Sequence, residues 1–236
     1  MNDYEKRRVD VQHGEKGQKT TELNASARAV YYYLLAKSIW NLAHNEDHYY
    51  IRKKDINKSD MSKRLGYSRP TIYKCLDILK AKNKIYEDEN YYILPWPKPY
   101  AIMRQEVLEY LIGYFGSFGS DIIWLLAILK GIPEVERKKG FNASELVYML
   151  EHAPDRNTRA SVRAMLFILQ EDGFIKMRSV WTTNKQGISY YVYKFDEVNT
   201  ENLPVQIDKD VDIDEERCNR VKKQFLEGEQ EENVSA

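Results

Sequence analysis

The sequence predicts a mainly α chain with small β wings, built as two winged helix-turn-helix domains in tandem. Three observations predict it. The stretch "MSKRLGYSRPTIYKCLDILK" (61–80) has a short apolar-periodic piece, a turn at Gly66-Tyr67, and Ser68 opening a longer periodic piece. Around it the periodicities run helix, strand, helix, turn, helix, hairpin. The chain also overlays on itself at a shift of 90 residues, which puts Ser68 on Thr158, Arg69 on Arg159, Thr71 on Ser161, Ile72 on Val162, Leu76 on Leu166, Leu79 on Leu169 and Ile85 on Ile175.

Residues 1–22 are polar and aperiodic and read as a flexible arm carrying Lys6, Arg7 and Arg8. The first domain is expected over 23–97. In it, "NASARAVYYYLLAKSIWNLAHN" is an amphipathic helix capped by Asn24, "HYYIRK" a strand, 59–65 and 69–82 the paired helices, and "KIYE" with "YYIL" a hairpin around an acidic tip. "PWPKP" (95–99) cannot lie inside a helix and marks a boundary. The second domain, 98–198, begins with a leading helix near Met103–Tyr114; the glycines of "GYFGSFGS" then make a flexible corner before "DIIWLLAILKGI". "FNASELVYMLEH" supplies a strand residue and a helix with Asn142 at its N-cap and Glu145 three residues on. "NTRASVRAMLFILQEDGFI" is a second long helix, followed by a hairpin that turns at Asn184–Gly187. The turn between the paired helices is expected to be five residues longer in the second domain. Residues 199–236 form an acidic tail; from Asp196 onward thirteen acidic residues face five basic ones. The tail reads first as a solubilising segment; the alternative is that 212–226 forms a helix with Cys218, Val221 and Phe225 on one side, suited to docking on its own protein or on a partner, where its charge would compete with DNA for basic surface.

The 36 Lys and Arg balance 36 Asp and Glu, so bulk charge draws the chain neither to nucleic acid nor to acidic membrane. No run approaches 18 apolar residues and the first residues have no signal-peptide core, so a cytoplasmic protein without a membrane segment is expected. Cys75 and Cys218 have no Cys or His pattern around them and give neither a disulfide framework nor a zinc site. The histidines, 13, 44, 48 and 152, make no metal motif beyond a weak His44–His48 spacing, and no phosphate-binding glycine loop is present. The expectation is a non-enzymatic chain without cofactor or metal.

Local charge is more informative. Residues 51–84 carry eleven Lys and Arg against Asp55, Asp60 and Asp77, a net of +8 that coincides with the paired helices. With Ile72, Leu76 and Leu79 inward, Pro70, Lys74 and Asp77 face out while Arg69, Thr71 and Tyr73 flank them. A recognition helix offers its first turns to base edges, so Arg69, Thr71, Tyr73 and Lys74, with Lys63 and Arg64 before the turn, are candidate DNA contacts. In the second domain the same geometry selects Arg156, Arg159, Ser161 and Arg163, with Ala160 and Ala164 outward to permit close approach. The second wing adds Arg178 and Lys185, whereas Glu87, Asp88 and Glu89 keep the first wing away from phosphate.

The succession "NASARAVYYYLLAKSIWNLA", "YYIRK", "DMSKRLGYSRPTIYKCLDILKAKNKI" is similar to the N-terminal winged-helix domains of plasmid and phage replication initiators, and the tandem plan resembles two-winged-helix Rep proteins. The likeness covers 24–94 and, more loosely, 118–195. It implies binding of double-stranded DNA at origin or operator repeats, homodimers, and replisome proteins as partners. The "LGYSRPT" pattern is shared with helix-turn-helix proteins at large, so a transcriptional regulator is an alternative. A third is a tandem winged-helix interaction subunit of a chromosome-condensing complex.

Overall fold

The computed structural model describes residues 5–10, 23–40, 47–203 and 215–234. Its class departs from the expectation: the chain is mixed α/β, with three small antiparallel sheets among the described residues, rather than mainly α with small wings. The extra β structure comes from two places that hydrophobic periodicity did not mark. One is the polar arm, where Lys6–Asp10 form β1. The other is the far side of the proline boundary, where Tyr100–Arg104 form β5; the two strands pair from Lys6↔Arg104 to Asp10↔Tyr100.

Residues 6–10, expected in a flexible arm, are therefore held in place. Val9 is buried, and the Arg7 guanidinium lies inside, donating to the Leu35 and Ser38 carbonyls and to Gln105. Arg8 stacks 3.5 Å from the Trp96 ring centre and 4.3 Å from that of Tyr100.

α1 (Ala25–Lys37) starts where Asn24 accepts a hydrogen bond from the Ala27 amide at 2.8 Å. Every residue from Ala27 to Ala36 is buried, so this helix is covered all round rather than amphipathic. β2 (His48–Arg52), α2 (Lys58–Leu65), α3 (Arg69–Ala81), β3 (Tyr86–Glu87) and β4 (Tyr91–Pro95) follow, with the sheet order β2-β4-β3.

α4 (Gln105–Gly131) is two helical segments joined by a kink at Gly116, where φ 56° and ψ −130° suit only glycine. The expected corner thus narrows to one residue. By length and composition α4 could cross a membrane, with a mean hydropathy of 1.6, yet most of it is buried within the fold. It lies along α1, and a single core runs across the 97/98 boundary, from Leu34 and Leu35 to Leu125 and Leu129. The Arg28 guanidinium of α1 meets Asp121 of α4 at 2.8 Å and stacks 3.9 Å from the Trp124 ring centre.

α5 (Glu134–Lys139), β6 (Phe141–Asn142), α6 (Ala143–Met149) and α7 (Arg156–Glu171) come next. β7 (Ile175–Thr183) and β8 (Ser189–Val198) close the third sheet, in the order β6-β8-β7. The expected capping box, Asn142 with Glu145, is present. The last element is α8 (Glu215–Val234).

Two outcomes test this core. A Cβ built on Gly119 falls 2.1 Å from the Leu111 carbonyl oxygen, a backbone atom that cannot rotate away. Gly119→Ala is therefore expected to lower stability by at least about 2 kcal/mol in urea unfolding. Asp121→Ala, which strands the buried Arg28 charge, is expected to cost roughly 3–5 kcal/mol in the same measurement.

Candidate nucleic-acid interface

The α2–α3 pair is built by local hydrogen bonds. Asn57 caps α2, accepting from the Ser59 and Asp60 amides at 2.9 and 3.1 Å. Gly66 ends the helix at φ 68°, in the left-handed region, and the Tyr67 amide donates back to the Ser62 carbonyl at 3.1 Å. Ser68 then caps α3, its hydroxyl accepting from the Thr71 amide at 3.3 Å, with Pro70 in the first turn, where it forfeits no helical bond. Met61 and Leu65 of α2 are buried, as are Ile72, Cys75, Leu76 and Leu79 of α3. Burial pushes the Cys75 thiol pKa up, so it is a packed side chain rather than a nucleophile.

The outward face is as the periodicity predicts: Arg69, Pro70, Tyr73, Lys74 and Asp77 are exposed. Arg69 donates to the Ser59 hydroxyl, tying the start of α3 to α2. The Thr71 hydroxyl lies 2.9 Å from that of Ser68 and so serves the cap. Tyr73 is 50% exposed, with the Lys58 ammonium 4.4 Å from its ring centre. Lys63 is exposed. Arg64, half-exposed, is held by an ion pair within α2, its Nε 3.0 Å from both Asp60 carboxylate oxygens, and Asp60 also accepts from the Tyr33 hydroxyl of α1 at 2.7 Å.

Ion pairing divides the basic band. Glu87, at the acidic hairpin tip, pairs with Lys80 at 3.0 Å and with Lys53 at 3.4 Å, and Lys80 also meets Asp77 at 3.3 Å. These contacts hold the Glu87 carboxyl below its usual pKa, the Lys80 bond first among them. The carboxylates thus fold back onto lysines at the hairpin side. Lys54, Lys58, Lys63, Arg69 and Lys74 make no ion pair among the described residues. Lys54 and Lys58 join the candidates here; only position in the fold, not periodicity, separates them from the neutralised lysines of the same band.

The second pair differs. Asp155, rather than Thr158, caps α7, in a box with Thr158. α7 therefore begins at Arg156, one turn earlier than the internal overlay implies, so the turn occupies 150–155 against 66–68 in the first pair and is longer by three residues rather than the expected five. Arg156, not Arg159, is the counterpart of Arg69 at the first helical position. Arg159, Ser161 and Arg163 sit deeper along α7 and are half-buried, with the Ser161 hydroxyl donating to the Asn157 carbonyl at 2.9 Å.

Ala160 and Ala164, expected outward, are both 0% exposed. α8 lies over them. The Arg156 guanidinium donates to the Leu226 carbonyl, the Phe167 and Phe225 ring centres are 6.2 Å apart, and Arg217 meets Asp172 at 2.7 Å and Glu171 at 3.1 Å. On the hairpin, Arg178 pairs with Asp196 across the strands at 3.5 Å, Lys185 is exposed at the tip, and Asn184 accepts from the Gln186 and Ile188 amides to shape the turn. Trp181, 54% exposed and set edge-on to Tyr191 at 4.5 Å, was not singled out in the sequence. Its signal is the alternation that continues the core face of β8 past Tyr193. Of the His44–His48 pair, His44 lies outside the described residues.

These features define a pair of helices, α2 and α3, joined by a three-residue turn, whose outward face is basic, and a second helix pair whose outward face is covered. Searches against protein-family models, characterised proteins and solved structures find nothing that matches the chain.

The Asp60 hub positions α2 and supplies a pH test. Burial pushes its carboxyl up, but the bonds from Tyr33 and Arg64 outweigh burial and hold it below the usual range. A lowered folded pKa stabilises fully above the unfolded value, about 4, and the gain is lost as pH falls through the folded value. Between about pH 5 and about pH 3 the wild-type chain is expected to lose more stability than Asp60→Asn, measured by urea unfolding across that window.

Proposed function

We propose that this chain binds double-stranded DNA sequence-specifically through α2 and α3, in the role of a plasmid or phage replication initiator. The observation that carries the reading is the sorting of charge. Carboxylates near α3 are drawn onto Lys53 and Lys80, while Lys58, Lys63, Arg69 and Lys74 surround the exposed start of the helix. A surface of that kind gains affinity by releasing counterions from phosphates and presents a side-chain fork to a base edge. The amino end of α3 adds its helix dipole toward phosphate.

Arg69 is the base reader in this reading, exchanging its bond to Ser59 for one to a base, and Lys74 is a phosphate contact. The Arg178 and Lys185 hairpin is a second phosphate contact. Selection of bound duplexes from a random pool identifies the site; repeats at an origin support initiation, and a promoter site reassigns the same contacts to transcriptional control.

Arg69→Ala is expected to relax preference at one base position by about 1–3 kcal/mol. Lys74→Ala should weaken cognate and random duplex alike, and flatten the log–log salt dependence by about 0.9. Both are read by titration at several salt concentrations. Equal losses on cognate and random duplex for Arg69→Ala would remove it from base reading, and absence of any duplex binding at low salt would end the proposal.

A further inference from the structure

Arg156, Phe167 and Glu171 of α7 touch α8, and they fall on one stripe of the helix together with Ala160 and Ala164. That stripe is opposite Val162, Leu166 and Leu169, which face the core. It is the face a recognition helix would turn toward a major groove. α8 runs antiparallel along it, since Arg217 near its start meets the end of α7 and Leu226 meets the beginning. Val221, between these two ends, is 7% exposed, and the two alanines leave room for the helix to come close.

A helix with side chains is about 10–12 Å across, and the major groove is about 12 Å wide. Two packed helices do not enter it together. Next to Leu226, which meets the amino end of α7, stands the exposed Glu227, which carries the charge sign of a phosphate. Its hold combines Val221, a phenylalanine set against Phe167, which stays 37% exposed, Arg217 over the Phe115 ring of α4, and polar bonds at both ends.

Resting on the DNA-binding reading above, we infer that α8 is an autoinhibitory cover that occupies the groove-facing stripe of α7 and must undock before the second helix pair can engage a duplex. The free chain then binds through α2–α3 and the β7–β8 hairpin without α7, and a duplex competes with α8 for α7.

The full chain carrying Val221→Asp and Phe225→Asp tests this. If α8 is docked in most molecules, releasing it should raise duplex affinity roughly tenfold or more, since apparent affinity scales with the competent fraction. The salt dependence should steepen by about 0.9 for each further phosphate that the freed α7 neutralises. Adding Arg159→Ala and Arg163→Ala should abolish that rise in affinity, whereas in the otherwise wild-type chain, where undocking α8 offsets part of what α7 contributes, the two arginine substitutions should lower affinity less than they do in the released chain. Hydrogen exchange on the unmodified protein gives a readout free of folding effects: α8 amides should lose protection when duplex saturates the chain. Wild-type affinity in the double aspartate variant, or α8 protection unchanged by duplex, overturns the cover while leaving DNA reading by α2–α3 intact. No duplex binding by either chain overturns both.

Discussion

The close approach of α4 to itself and to α1 is the constraint on which the other elements depend. Gly116 allows the bend, and Gly119 lets the chain after it pass against the Leu111 carbonyl where a methyl group has no space. That geometry places Asp121 opposite Arg28 and lays the apolar half of α4 along α1. A charge pair this deep contributes little net stability compared with an apolar pair of the same shape. It does penalise any register of α1 on α4 that leaves Arg28 without its carboxylate. α2 is tied to the same frame through Tyr33 and Asp60, so the orientation of the exposed face of α3 follows from how α1 is held.

The two helix pairs show how one apolar pattern can serve different ends. In both, residues at matching positions fill the core: Ile72, Leu76 and Leu79 in α3, and Val162, Leu166 and Leu169 in α7. The outward faces diverge because of what lies beside them. α3 keeps Arg69 and Lys74 in solvent while nearby carboxylates are engaged by Lys53 and Lys80. α7 offers small residues, and small residues on a helix invite another helix as readily as a groove. α8 takes that place, anchored by Arg217 on Asp172, a carboxylate that also accepts from Tyr110 of α4.

Sequence alone determined whatever depends on neighbours along the chain. The caps at Asn24, Ser68 and Asn142, the turn at Gly66, the core-facing residues of α3 and α7, and the hairpin turn at Asn184 all rest on interactions within a few residues, and periodicity or residue type reports such interactions directly. The tertiary structure alone decided the remainder. β1 comes from a polar stretch whose partner, β5, lies about ninety residues away, and no local pattern encodes that pairing. Arg64 and Lys80 look like free charge in a basic band until the fold brings Asp60 and Glu87 to them. Ala160 and Ala164 read as an open groove-facing stripe because a helical wheel distinguishes inside from outside only for a helix with one neighbour; here α8 supplies a second.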